Sequence, residues 1–157
     1  MAIPAAVVAI LVTAFCLLFY LGVLFLVSHA DGWQALAAHF AVRPGDQRPS
    51  GFRRFVSAHL RGPTIWESGN FDFSVRTAET AAGLYIAPHW WVAFGHRLLF
   101  IPWDAIRTAE LRTLRYPDTV QAGQYVEIHF AAPDLDRSLD VNAEAVTHLL
   151  SRCTSRA

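Results

Sequence analysis

The feature that most constrains this chain is an uncharged apolar run at its N-terminus. Residues 5–27 read AAVVAILVTAFCLLFYLGVLFLV, 23 positions among which Thr13 is the most polar. At about 1.5 Å of rise per residue, a helix of this length crosses a hydrocarbon core of roughly 30 Å. The run therefore predicts one transmembrane helix, with residues 1–27 as an anchor.

A cleaved secretory signal peptide is the alternative interpretation of the same run. Residues 28–30, Ser-His-Ala, resemble a small-x-small cleavage site. A signal peptide has a basic n-region and an apolar region of only about 7–15 residues, whereas no basic residue precedes this longer run. The anchor is therefore favoured. Under the alternative, removal of residues 1–30 would leave a small secreted β domain.

The arginines indicate the orientation of the predicted span. All 13 basic residues are arginine, and those nearest the span follow it: Arg43, Arg48, Arg53, Arg54 and Arg61. Basic residues close to a span are retained on the cytoplasmic side. Because an arginine-only, alanine-rich composition is typical of a GC-rich bacterial genome, we expect a single-pass protein of the bacterial inner (cell) membrane with a cytoplasmic C-terminal domain.

Charge and motifs argue against several classes of function. The 13 acidic residues balance the 13 basic ones, so no net field attracts nucleic acid, and no nucleic-acid partner is expected. The seven histidines show no HxH, HExxH or Cys-His spacing, which leaves no expected metal site. Without a GxSxG elbow or a phosphate-binding glycine loop, we expect no catalytic residues, no cofactor and no enzyme.

The segment 28–50 is predicted to be a juxtamembrane amphipathic helix followed by a linker. Trp33, Leu36, Ala37 and Phe40 fall at i, i+3, i+4 and i+7, which is one stripe of a helix. Two locations for this stripe stay open: the lipid headgroup layer, which suits an indole ring, or the surface of the chain's own domain. The arginines around the linker are expected to reach anionic headgroups.

Residues 51–157 form the predicted folded domain, and its apolar patterns favour strands. The expected strands are 71–76, 83–88, 97–103, 124–131 and 135–141. The segment 107–115 fits a helix or a strand, and its position between two strands favours a strand. Asn142 is a good N-cap for a C-terminal helix, on which Val146, Leu149, Leu150 and Cys153 share one face. The fold class is therefore a membrane-anchored α+β protein with a mainly antiparallel barrel or bent sheet, plugged by a C-terminal helix.

Two segments of this domain resemble a known family. GLYIAP (83–88) and HRLLFIPWDAI (96–106) are similar to the strand, loop and strand of bacterial PH-like and GRAM-like domains. They also resemble uncharacterised bacterial single-span membrane proteins that have a GW-containing helix after the span and this FIPW segment. The resemblance covers residues 30–131 and implies a PH-like fold near a membrane, with no catalytic residues. Phosphoinositide binding is not expected, because only Arg76 is basic near the first strand.

The stretch HWWVAFGH (89–96) is unusually apolar for a segment between two strands. Its rings either belong to extended strands that fill the barrel or form an exposed apolar tip that contacts a membrane or a partner. The residues predicted to make membrane or partner contacts come from this stretch, the juxtamembrane helix and the arginines. They are Trp33, Phe40, Arg53, Arg54, Trp90, Trp91, Phe94 and Arg97.

These patterns lead to one functional hypothesis and one rival. The chain is expected to be a non-catalytic, membrane-anchored PH-like binding module that acts at the cytoplasmic membrane surface through protein or lipid contacts. Its expected partners are the lipid bilayer and a membrane protein. The rival is an accessory subunit of a membrane protein complex, and the sequence leaves the oligomeric state open.

Overall fold

The computed structural model describes residues 4–30, 32–43, 45–46, 48–64, 68–93, 95–115 and 122–154. The helices in this part of the chain are α1 (Ala5–Ala30), α2 (Trp33–Phe40) and α3 (Thr147–Thr154). The strands are β1 (Arg53–Arg61), β2 (Gly69–Glu79), β3 (Gly83–Pro88), β4 (Leu99–Pro102), β5 (Ile106–Leu114), β6 (Gly123–Phe130) and β7 (Ser138–Asn142). Short 3-10 turns lie at Trp90–Val92, Trp103–Ala105 and Ala143–Ala145.

Helix α1 is apolar on every side. Its segment Ala5–Val23 is long and apolar enough to cross a membrane, and none of its residues is buried against the rest of the chain. A helix without a polar face has no stable position in water, so these side chains need an apolar environment. A signal sequence near an N-terminus can also meet this requirement of length and apolarity.

The strands form one curled antiparallel sheet in the order β4-β3-β2-β1-β7-β6-β5. Strands β4 and β5 are its two edges, yet only the short turn Trp103–Ala105 separates them in the chain. In a flat sheet of this size the edges would lie roughly 29 Å apart, at about 4.8 Å per strand. The sheet therefore curls into a half-barrel, which brings its edges together.

The centre of the sheet is β1, a strand that was not predicted from the sequence. Ala58 and Leu60 face the core, while His59 between them is also buried, at 5% exposure. Residues 56–61 alternate apolar and polar types, but they directly follow the linker rich in proline, glycine and arginine and were not recognised as a strand. Six other strands were predicted, and β2 to β7 confirm them, β3 to the residue and the others with shifted ends.

Helix α2 packs against the half-barrel. The predicted stripe of Trp33, Leu36, Ala37 and Phe40 is buried in the core, which confirms the amphipathic helix. The Phe40 ring lies 5.3 Å from the ring of Phe130 on β6. Of the two locations that the sequence left open, the structure has the stripe on the chain's own domain.

The C-terminal helix closes the core from the other side. Both carboxylate oxygens of Glu79, at the end of β2, accept hydrogen bonds from the first turn of α3, at 2.9 Å from His148 N and 2.8 Å from Leu149 N. The side chain of Asn142 caps the preceding 3-10 turn instead of α3 itself. Val146 and Leu149 are buried, as predicted. The described fold consists of an apolar N-terminal helix, a half-barrel and a C-terminal helix.

Candidate functional site

Four aromatic side chains stack at the surface beyond the end of β3. They are Phe55, His89, Trp90 and Trp91, here called the aromatic cluster. The ring centroids of His89 and Trp91 are 3.6 Å apart, and those of Phe55 and His89 are 5.2 Å apart, both pairs nearly parallel. Trp90 meets Trp91 edge-on and is 77% exposed. A large exposed group of apolar rings is typical of an interaction surface.

A tight turn holds the two tryptophans outside the barrel. After β3 ends at Pro88, the His89 N–H donates to the Ser74 carbonyl on β2, and His89 Nδ1 accepts from the Trp90 N–H at 3.1 Å. These bonds start the 3-10 turn over Trp90–Val92, in which no residue is buried. The interpretation of this stretch as extended strands that fill the barrel is therefore wrong.

Phe55 reaches the cluster from a strained position in β1. Its φ of 59° lies in the left-handed region, and Phe55 alone among the described non-glycine residues has a positive φ. The pairing of β1 with β2 is irregular on either side of Val56, so Phe55 lies at a β-bulge. A bulky residue in this conformation costs about 1–3 kcal/mol, and Phe55 is still 56% exposed. Strain combined with exposure of an apolar ring points to a function other than stability.

Arg54 and Arg76 place positive charge near His89 of the cluster. Removal of water from the stacked imidazole, followed by the nearby charges of Arg54 and Arg76, lowers the pKa of His89 below its ordinary value of 6.5. The His89 ring is therefore mostly neutral at neutral pH and acts as a fourth flat ring. The Arg76 guanidinium lies 4.9 Å from the ring centroid of Phe52, a cation-π contact that holds this charge beside β1.

The loop that follows the cluster is fixed to the start of α2. The Trp33 indole N–H donates to the Arg97 carbonyl at 3.0 Å, and the Gln34 side-chain amide donates to the Gly95 carbonyl at 2.7 Å. Gly32 has a φ of 74°, a conformation suited to glycine, and it links α1 to α2. The loop that follows Trp90 and Trp91 is therefore attached to the start of α2, three residues after α1 ends.

The structure separates the predicted contact residues into groups. Trp33 and Phe40 are buried, at 0% and 9% exposure, so they pack inside the domain and are removed from the contact surface. Trp90 and Trp91 are exposed members of the aromatic cluster. Phe94 lies outside the described residues.

The three predicted arginines have different surroundings. The Arg53 guanidinium donates to the Glu144 carbonyl, which ties β1 to the turn before α3. Arg54 is exposed, and its charge acts on His89. Arg97 is exposed, and its backbone carbonyl accepts a hydrogen bond from the Trp33 indole N–H. Of these three arginines, Arg54 is the one whose charge acts on the cluster, together with that of Arg76.

Sequence reasoning missed two members of the cluster. His89 was noted only as a flank of the aromatic stretch, and Phe55 was assigned no role. The side chains meet because the irregular β1-β2 pairing and the turn after Pro88 bring them together. The only available signal was an aromatic residue directly after two arginines, Arg53 and Arg54, at the edge of a predicted linker.

Among the residues that the structure describes, no group of three or more His, Cys, Asp or Glu is arranged to hold a metal ion. The chain matches no protein-family model, no curated protein and no solved structure. The arrangement of the aromatic cluster is therefore the main basis for a functional hypothesis, and the resemblance to PH-like domains stays a prediction.

Proposed function

We propose that this chain is a single-span protein of the bacterial inner membrane whose PH-like half-barrel is a non-catalytic binding module. The module contacts the cytoplasmic membrane surface through the aromatic cluster. The observation that supports this proposal is the exposed stack of Phe55, His89 and Trp91, with Trp90 beside it.

The position of the cluster favours a lipid surface as its partner. Three residues after α1 ends at Ala30, Trp33 begins α2, and Trp33 contacts the loop that follows the cluster. If α1 spans the bilayer, the connection is too short to move the start of α2 far from the headgroups, because an extended chain reaches at most about 3.6 Å per residue. The cluster then lies close to the interface.

The chemistry of the cluster also suits the interface. Tryptophan rings prefer the headgroup layer, where the ring is in apolar surroundings and the indole N–H stays hydrated. An arginine near an anionic surface adds about 1 kcal/mol of attraction, and Arg54 and Arg76 both lie near His89. Apolar rings beside cations are the combination that peripheral membrane surfaces use.

Vesicle binding by the domain without its anchor tests this proposal. No described side chain of α1 belongs to the core, so a fragment of residues 31–157 keeps every core contact of the half-barrel. We expect this fragment to sediment with protein-free vesicles of mixed phosphatidylcholine and phosphatidylglycerol. Replacement of Trp90 and Trp91 by alanine should weaken the binding by about tenfold or more, since about 1.4 kcal/mol is tenfold and one buried aromatic ring is worth more.

The matched control is Leu111→Ala, which removes another exposed apolar side chain, 52% exposed, from the edge strand β5. This variant should bind vesicles as the original fragment does. Absence of vesicle binding, together with co-purification of a specific membrane protein with the full chain, would reject the lipid contact. It would favour the rival, an accessory subunit of a membrane complex in which the aromatic cluster is a protein interface.

The fate of α1 is tested separately. We expect membranes of the producing cell to contain the chain with residues 5–27 intact, as measured by the mass of the purified protein. A mature chain that begins near residue 31 would show that the N-terminus is a cleaved signal peptide and would make the half-barrel a secreted domain.

A further inference from the structure

The opposite end of β1 opens into a groove of about 520 Å³. Arg61, Arg107, His129 and Arg137 are among its lining residues and define what we call the arginine groove. Its apolar wall includes Leu135. The stretch of β1 from Phe55 to Arg61 spans roughly 20 Å at about 3.3 Å per residue. The groove is therefore well separated from the aromatic cluster.

The register of the sheet aligns polar residues along this groove. Arg61 on β1 is opposite Ser138 on β7, Ser138 is opposite His129 on β6, and His129 is opposite Thr108 on β5. Residues directly opposite one another in antiparallel strands share one face. Leu60, the neighbour of Arg61, faces the core, so this row faces outward. Four strands thus contribute one outward polar row.

A buried carboxylate orients Arg61. Its Nε donates to Asp140 Oδ2 at 2.6 Å; the Asp140 side chain is fully buried, whereas 41% of the Arg61 side chain is exposed. A guanidinium held through Nε is planar and rigid, and its other N–H groups have a defined orientation. Arg61 is therefore preorganised and can still be reached from the groove that it lines.

Glu127 orients two further residues that line the groove. Its Oε1 accepts from Ser138 Oγ at 3.1 Å and lies 3.6 Å from His129 Nε2, while its Oε2 accepts from Arg112 at 2.6 Å. Ser138 and His129 both line the groove. Arg61, Ser138 and His129 of the outward row are thus held by two buried acidic side chains, Asp140 and Glu127.

The lining is rich in positive charge. Three of the twelve lining residues are arginine, against 13 basic residues in 157 for the whole chain. Asp136 is the one carboxylate among those twelve residues. Arginine forks pair with phosphate and carboxylate groups through two parallel hydrogen bonds. The volume lies within the range of about 300–1,000 Å³ that small-molecule sites occupy.

We propose that the arginine groove is a binding site for a small polyanion, whose phosphate or carboxylate groups pair with Arg61, Arg107 and Arg137. His129 adds a hydrogen bond at the centre of the site. Because the groove and the aromatic cluster lie at different ends of β1, the site can be filled while the cluster contacts a membrane. This proposal does not depend on the proposed membrane contact.

Calorimetric titration of the full chain in discs of neutral phosphatidylcholine tests the site. Inorganic pyrophosphate and citrate are the separate probes for phosphate and carboxylate groups, and acetate is the monoanion control. We expect saturable binding of at least one polyanion and none of acetate. The double variant Arg107→Gln/Arg137→Gln should bind that polyanion about tenfold more weakly or worse, since it loses charged hydrogen bonds. Arg61 is left in place because it pairs with buried Asp140.

The matched control is Arg48→Gln/Arg115→Gln, which removes the same charge from two exposed arginines outside the groove lining. It should bind the polyanion as the unmodified chain does. Equal weakening by both double variants would show non-specific attraction and overturn the proposal. No saturable binding of either polyanion by the unmodified chain would also overturn it. Unfolding curves of the variants check that the half-barrel is intact.

Discussion

The two ends of β1 present opposite chemistry on the same strand. At its start, Phe55 exposes an apolar ring from a left-handed backbone conformation and stacks on His89. At its end, Arg61 exposes charge and is bonded to the fully buried Asp140. At the aromatic end apolar ring atoms are exposed to water. At the arginine end a buried carboxylate is paired with an arginine.

The comparison shows which end of β1 lowers the stability of the fold. Exposed rings and a positive φ lower stability without any compensating burial, so the aromatic end is best explained by a partner that covers it. At the arginine end each buried carboxylate that we describe has an arginine partner: Asp140 has Arg61, and Glu127 has Arg112. There both carboxylates have partners in the chain, although Oδ1 of Asp140 accepts no hydrogen bond among the described residues. The number of arginines that line the groove points to a ligand.

The largest expected effect comes from Trp33, which joins the aromatic end to the rest of the fold. Replacement by alanine should lower the free energy of unfolding by about 3–5 kcal/mol, because a fully buried indole and its hydrogen bond to Arg97 are lost. Hydrogen exchange should speed up most at residues 95–97 and least near His129. Uniform acceleration at both ends would contradict the view that Trp33 supports the aromatic end in particular.

The next effect concerns the pair at the other end. Arg61→Ala leaves Asp140 buried without its cation, which costs about 3–5 kcal/mol for a fully buried pair. Since 41% of the Arg61 side chain is exposed, water replaces part of the interaction and we expect about 2 kcal/mol. Chemical unfolding measures this loss.

A double-mutant cycle sharpens the same test. Adding Asp140→Asn to Arg61→Ala removes the uncompensated charge, so the double variant should lose less stability than the sum of the two single variants. Additive losses would show that the 2.6 Å contact contributes nothing to stability. The aromatic end should keep its vesicle binding in all three variants, because none of them changes the aromatic cluster.

Phe55→Gly should separate stability from function. Relief of the left-handed strain gains about 1–2 kcal/mol, whereas glycine in a strand costs about 0.5–1 kcal/mol of chain entropy. Because Phe55 is 56% exposed, little packing is lost, and we expect a net gain between about 0 and 1.5 kcal/mol in unfolding free energy. Vesicle binding by the fragment should fall at the same time.

Leu111→Gly is the control for this prediction. Leu111 is also exposed and lies in a strand, but it has no positive φ, so glycine there should only destabilise the protein. If Phe55→Gly destabilised the protein as much as Leu111→Gly does, the strain would have no energetic consequence. Thermal unfolding of the two variants decides between these outcomes.

Most of the fold could be predicted because its patterns are local. The stripe from Trp33 to Phe40 has a helical period, and β3 follows the segment 83–88 to the residue. Strand β1 was missed although residues 56–61 alternate apolar and polar types, because the segment directly follows a linker rich in proline, glycine and arginine. The pattern was present, but it was not recognised beside the linker.

The candidate sites could be predicted only in part, because they depend on register. Trp90 and Trp91 were identified from an apolar stretch where a polar loop is expected, and the structure exposes both. Phe55 joins them only through the bulge in β1, which no local pattern reveals. The arginine groove needs the alignment of four strands that brings Arg61 and His129 into one row. Spacing along the chain contains no such information.

The smallest expected effect is a pH dependence at the arginine end. Burial acts to raise the pKa of Glu127, but hydrogen bonds from Arg112 and Ser138, with the charges of Arg112 and His129, outweigh it and lower the pKa below its ordinary value of 4.5. A carboxyl with a depressed pKa in the folded state stabilises the protein above the unfolded value. This contribution is lost as the pH falls below 4.5 and through the folded pKa.

Glu127→Gln should therefore be less stable than the unmodified protein at neutral pH, and the difference in unfolding free energy should narrow as the pH falls below 4.5. We expect the pH-dependent part to be below about 1 kcal/mol, because Arg112 is partly exposed. Glu144→Gln, at an exposed glutamate in the turn before α3, is the control. A difference that is constant with pH, or one that Glu144→Gln reproduces, would mean that the ion pairs of Glu127 do not distinguish the arginine end.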